Sequence, residues 1–242
     1  MLYSAAARQY KTSHRRDTTY MTLVGALHCG DYLLLGAESG WTTETGVVLV
    51  GPKLSYRTNQ PIIAWGFSGN EDLGIRFGQW LATAVLATDD WSQLRATIES
   101  EANTLNRDRR ARLEEAGLRE SRGDCFFNDF LTVIICGFCE GEGRILSIDP
   151  RSIVSVAPQI DNRALFIGET SHADVAYSAL VRHPAWRPDP DWFNVLMDIA
   201  IGLGDKDNLR QPCRILKITP KGVEDISGPH FRGTFGSRNR IQ

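Results

Sequence analysis

The stretch "MTLVGALHCGDYLLLGAES", residues 21–39, decides how the chain is read. Two short apolar runs, "LVGAL" and "YLLLGA", flank the turn "HCGD", so the segment predicts an antiparallel hairpin beginning at Leu23. Immediately ahead of it stand Met21 and Thr22, twenty residues after the first Met. Upstream, "MLYSAAARQYKTSHRRDTTY" is polar and basic with no sustained period. It reads as a disordered arm, a removable segment, or translated sequence ahead of the real start. The expected organisation is a disordered or removable segment over 1–21, one domain over 22–228 and a polar tail over 229–242.

Further along, "VVLV", "KLSY", a "RTNQP" turn and "IIAWGF" predict more antiparallel strands. Two helices follow. Leu73, Phe77, Trp80, Leu81 and Ala84 recur at three- and four-residue steps, and Leu94, Ile98, Ala102 and Leu105 do the same behind Asp90, a natural N-cap. The continuation "NRDRRARLEEAGLRESRGD" is mostly charge and is expected to fray into a solvated arm. Strands return with "DFLTVIICGF", the turn "CEGEG", "RILSID", "SIVSVA" and "ALFIG". Then "ETSHADVAYSALV" and "PDWFNVLMDIAIGL" show apolar helical faces, and "RILKITPKGVEDI" closes with a hairpin turning at "PKG". Strand clusters alternating with helix pairs point to an α+β fold of two stacked antiparallel sheets covered by helices, layered α, β, β, α.

With 242 residues, 42% hydrophobic and 23% charged, the chain is long enough to bury a full core in one domain. A net charge of -2 and a pI near 6.2 leave no electrostatic footprint for nucleic acid. No run reaches the roughly 18 apolar residues of a membrane span, and residues 1–20 lack the apolar centre of a signal peptide, so a cytoplasmic protein is expected. Cys29, Cys125, Cys136, Cys139 and Cys213 are odd in number and lie mostly in apolar stretches, which predicts buried thiols rather than a disulfide framework.

The five histidines show no metal-ligand spacing, and no cofactor is expected. "CGFC" at 136–139 ends a strand at a Gly-rich turn instead of opening a helix, so a structural role is preferred to a redox one. "GFSGNEDLG" at 66–74 lacks the Lys-Ser/Thr ending of a phosphate loop. A glycine at such a strand-to-helix turn can instead aim a backbone N–H at a substrate carbonyl.

Thr22, the hairpin, "GAES" at 36–39, Lys53 and "GFSGNEDL" at 66–73 together resemble the proteasome β-subunit and bacterial proteasome-like peptidase family of N-terminal nucleophile hydrolases. The order of "VIICGFCEGEGRILSIDP", "ALFIGETS" and "ILKITPKGVEDI" is similar to that family's, over nearly all of 22–228. The resemblance implies a four-layer αββα sandwich and a threonine-type peptidase. It also implies a homo-oligomeric ring, a peptide or unfolded-protein substrate and an ATP-dependent unfoldase partner. It makes Thr22 the nucleophile, Glu38 the carboxylate where the family usually has Asp, Lys53 the lysine beside the Thr hydroxyl and Gly69 the oxyanion-hole glycine. A threonine hydroxyl is a weak nucleophile at neutral pH, and an α-amine with a pKa of about 7.7–8.0 can take its proton there.

Taken singly, each residue has an ordinary reading. Thr22 can begin an edge strand, Glu38 and Lys53 can be a surface pair, and Gly69 can be a turn residue. Two departures bear on activity: Glu38 adds a methylene, and Glu169 of "GETS" stands where the family has Ser, with either Asp205 or Asp207 as a substitute for its later support. Translation from Met21 with removal of that Met would expose Thr22, and this route is preferred to self-cleavage after Met21. The competing functions are a catalytically inactive scaffold or interaction protein and an N-terminal nucleophile hydrolase of small amides.

Overall fold

The computed structural model describes residues 22–38, 40–42, 48–50, 53–84, 86, 90–117, 129–149, 153–156, 164–168, 190–191, 193–195, 197 and 213–227. The segments expected at 1–21 and 229–242 lie outside the described residues, as does "ETSHADVAYSALV".

The predicted first hairpin is present: β1 (Leu23–His28) and β2 (Leu33–Ala37) pair antiparallel, with Val24 opposite Ala37 and His28 opposite Leu33. β3 (Gly40–Thr42) and β4 (Val48–Val50) form a separate two-stranded ribbon. β5 (Leu54–Arg57) and β6 (Ile63–Gly69) follow, then helices α1 (Glu71–Thr83) and α2 (Trp91–Glu115). The second half supplies β7 (Leu131–Cys139), β8 (Glu142–Ile148), β9 (Ile153–Val156) and β10 (Ala164–Gly168). The final hairpin is β11 (Arg214–Thr219) and β12 (Gly222–Asp225).

These strands make two five-stranded antiparallel sheets, ordered β10-β1-β2-β11-β12 and β5-β6-β7-β8-β9. Between them lies one apolar core that includes Val24, Ala26, Leu33 and Leu35 from the first sheet and Ala64, Ile134, Cys136 and Ile145 from the second. The other face of the second sheet, with Ile63, Trp65, Val133, Ile135 and Leu146, packs on Leu73, Phe77 and Leu81 of α1 and Leu94, Ile98 and Ala102 of α2. Each fully buried side chain of this size contributes about 1.5–3 kcal/mol of hydrophobic stabilisation. β7 is buried along its whole length because it serves both cores. Residues three apart on a strand point to opposite faces, so Cys136 faces the inter-sheet core and Cys139 the helices. "CGFC" is therefore no dithiol pair, and burial pushes the Cys136 thiol well above its ordinary value.

The four-layer αββα expectation is corrected. The described residues are dominated by two antiparallel sheets, and the two long helices among them both cover the same sheet. Strand clusters can satisfy each other face to face without a helical layer on both sides, whereas the element order alone had assigned one to each. Of "PDWFNVLMDIAIGL", only six described residues are helical; from them Phe193 lies against Gly36 and Met197 near Gly25.

The charged continuation of α2 also departs from expectation, since the helix runs on through Glu115. Asn106 is buried and clamps the start of β7, donating to the Leu131 carbonyl at 3.0 Å and accepting from the Leu131 N–H at 2.7 Å. One turn later Arg109 pairs with Asp129 at 3.5 Å, and Arg110 lies over the Phe130 ring. These contacts hold a segment whose own apolar pattern has ended. Among the described residues, no helix is long and apolar enough to cross a membrane.

Candidate active site

Thr22 immediately precedes β1, and β1 is flanked on both sides, by β10 and β2. The edge-strand reading of Thr22 therefore does not hold. Glu38 immediately follows β2, its N–H donating to the Leu23 carbonyl at 3.1 Å, so the chain leaving the first hairpin is tied beside Thr22. Lys53 immediately precedes β5 in the second sheet.

Three of the four sequence-predicted residues meet. The Lys53 Nζ donates to the Thr22 Oγ1 at 3.1 Å and forms a short ion pair with the Glu38 carboxylate. The side chains of Lys53 and Glu38 are 2% and 0% exposed, so the surface-pair reading fails as well. Burial lowers the Lys53 pKa from its ordinary value, opposed by the charge and hydrogen bond of Glu38 and, more weakly, by the charge of Glu71. A buried lysine of this kind can keep its ammonium only through such carboxylates.

Gly69, the fourth, ends β6 with φ +91°, a left-handed conformation that glycine adopts without strain. Asn70 then caps α1, its side chain accepting from the Leu73 N–H at 3.1 Å. The charge of Glu71, in the first turn of α1, favours the Lys53 ammonium. Glu169, Asp205 and Asp207, weighed from the sequence, lie outside the described residues.

Two further residues that bear on Lys53 and Thr22 escaped the sequence reading. Glu71 was legible only as an acidic residue in a first helical turn. Gly168 ends β10 opposite Leu23 with φ +139°, and a Cβ there would lie 1.8 Å from the Thr22 carbonyl oxygen. Only glycine lets β10 pass this close to the residue that carries the hydroxyl.

No protein-family model matches the chain, and no curated protein matches it. Solved structures do. The Anbu protein in the helical assembly of the Anbu complex from Pseudomonas aeruginosa is 14% identical, with a TM-score of 0.64 over 85% of each chain. Anbu (ancestral beta-subunit) from Yersinia bercovieri is 13% identical, with a TM-score of 0.60 over 87% of this chain and 89% of that one. A Gly-1 mutant of Anbu from Hyphomicrobium sp. strain MC1 is 13% identical, with a TM-score of 0.61 over 87% and 90%. The likeness is one of fold.

It corrects the resemblance drawn from the sequence, because Anbu is a proteasome-like family distinct from the proteasome β-subunits and bacterial proteasome-like peptidases. A Thr, a carboxylate and a Lys at strand boundaries mark where two stacked sheets bring strand ends together. Residues so few and so common do not separate one family sharing that fold from another.

Proposed function

We propose that the protein is a threonine-type peptidase that uses Thr22 as an N-terminal nucleophile within a homo-oligomer. The observation that carries this reading is the Lys53 ammonium donating to the Thr22 hydroxyl while anchored on buried Glu38. A scaffold needs no buried cation on that oxygen.

With Thr22 at the start of the chain, its α-amine accepts the proton of Oγ1 as the oxygen attacks the peptide carbonyl. Lys53 stabilises negative charge on Oγ1, and the Gly69 N–H at the head of α1 serves the oxyanion of the tetrahedral intermediate. That intermediate collapses to an acyl ester on Thr22 as the amine returns its proton to the leaving nitrogen. Water, deprotonated by the same amine, then releases the acid and regenerates the hydroxyl. Glu38 holds Lys53 in place and keeps it charged.

The helical assembly of the P. aeruginosa protein supports a homo-oligomer here. With its sites sequestered in that assembly, the protein would take an unfolded chain as substrate. An ATP-dependent unfoldase would supply that chain. N-terminal sequencing of the protein from its native cell should find chains beginning at Thr22, and these should hydrolyse peptides. Thr22→Ala should abolish hydrolysis and leave the light-scattering mass of the assembly unchanged. A Thr22→Ala protein that still cleaves, or equal activity in chains that keep residues ahead of Thr22, would overturn the proposal.

A further inference from the structure

Thr22 and Glu38 belong to the first sheet, whereas Lys53 leads into β5, the edge strand of the second. The site is thus assembled across two sheets, and among the described residues β5 has a strand neighbour on one side only. Something must fix the position of β5 relative to the first sheet.

Arg214, the first residue of β11, does so. Its Nη1 donates to the Leu54 carbonyl at 2.7 Å, one residue beyond Lys53, while its own backbone is paired with Ala37, one residue before Glu38. Its Nε donates to Asp225 at 3.0 Å, so the guanidinium is held from behind. Asp225 is held in turn by the Ser227 hydroxyl and, at 3.1 Å, by the Ser227 N–H. Ser227 is buried, and its oxygen accepts from the Ile215 N–H at 2.9 Å. The contacts close a ring: Thr22 to Leu23, Leu23 to Glu38, Glu38 to Ala37, Ala37 to Arg214, Arg214 to Leu54, Leu54 to Lys53, and Lys53 back to Thr22.

We infer that Arg214, oriented by Asp225 and Ser227, is a positioning residue that sets Lys53 against Thr22 and Glu38; the inference rests on the peptidase reading of that site. A guanidinium suits a carbonyl and a carboxylate at once because its donors form a fixed fork, whereas a lysine ammonium can keep part of that contact without the fork. Burial by itself would raise the Asp225 pKa, but the Ser227 hydroxyl and the Arg214 guanidinium hold it below the ordinary carboxylate value, so it faces Arg214 as an anion.

The test compares wild type, Arg214→Gln and Arg214→Lys, each beginning at Thr22. Three quantities are read: kcat and KM on a fluorogenic peptide, the rate at which a β-lactone acylates Thr22 by intact mass, and the ¹³Cε resonance of Lys53. Loss of the anchor lets Lys53 drift by a fraction of an ångström to about 1 Å. That should lower kcat by about 10- to 100-fold with KM nearly unchanged, and slow acylation by a similar factor. The Lys53 resonance, set by its contacts with Glu38 and Thr22, should move, and Arg214→Lys should recover part of kcat. A folded Arg214→Gln protein with unchanged kcat and an unmoved Lys53 resonance overturns the inference. A wild type that neither cleaves nor acylates, with a Lys53 resonance that still moves in Arg214→Gln, sinks the peptidase reading and leaves the positioning role standing. Should Arg214→Gln fail to fold, Ser227→Ala replaces it, with kcat expected to fall severalfold; unchanged kcat and an unmoved resonance there are equally fatal.

Discussion

Lys53→Met removes the ammonium and keeps a side chain of similar length, which takes the ion-pair partner from a Glu38 carboxylate that is wholly buried. The uncompensated charge is relieved by taking up a proton. At pH 7 a glutamate of ordinary pKa, about 4.3, resists protonation by about 3.7 kcal/mol; at pH 5 the figure is about 1 kcal/mol. The first value falls within the roughly 3–5 kcal/mol measured when one partner of a buried pair is removed. The sign follows from the folded variant holding a proton that the unfolded chain gives up. Its pKa is raised in the folded state, so stability is kept at acidic pH and lost as pH rises past the unfolded value. Urea unfolding at fixed protein concentration should therefore show a deficit of about 3–4 kcal/mol at pH 7, shrinking to about 1 kcal/mol at pH 5. Lys53→Met combined with Glu38→Leu, which removes the uncompensated charge, should recover most of the loss. A deficit below about 1 kcal/mol at pH 7, or one that is the same at both pH values, would refute the claim that Glu38 is sealed from water and held charged by Lys53.

Two further outcomes are expected. Gly168→Ala sets a methyl group against the Thr22 carbonyl in a backbone conformation that alanine rarely adopts, so thermal unfolding should show a loss of at least about 2 kcal/mol, and peptide hydrolysis should fall with it. A midpoint unchanged from wild type would mean that β10 does not press on Thr22. Asn106→Leu leaves the two Leu131 backbone groups without the buried amide that serves them, which should cost about 2–4 kcal/mol in urea unfolding and speed amide exchange at the start of β7. A cost under about 0.5 kcal/mol would show that the charged end of α2 is held by something else.

The elements that the sequence reveals are those whose signals are local. The "HCGD" turn, the Asp90 cap and the apolar steps of α1 and α2 act within a few residues, and each element is found where these signals put it. The end of α2 was misread because its support comes from residues 129–131, some twenty residues further along, and no window of composition contains them. The layering was misread for a related reason: element order says which segments can be helices, not which sheet face they cover. At the site, Thr22, Glu38 and Lys53 were picked out by resemblance, because each is an unremarkable residue at the boundary of a strand. Only the stacking of the two sheets turns three boundaries into one contact. Arg214 had no signal at all within "RILKI", since its partners lie 160 residues upstream and 11 downstream.

The interior position of β1 has a mechanical meaning. Tension applied to the chain ahead of Thr22 runs along a strand that is laddered on both sides, with five paired positions toward β10 and five toward β2. Drawn along its axis, such a strand must shear two ladders together, whereas an edge strand in the same direction would shear only one. Thr22 therefore stands at the foot of a fixed anchor, and its hydroxyl stays where Lys53 reaches it even under load.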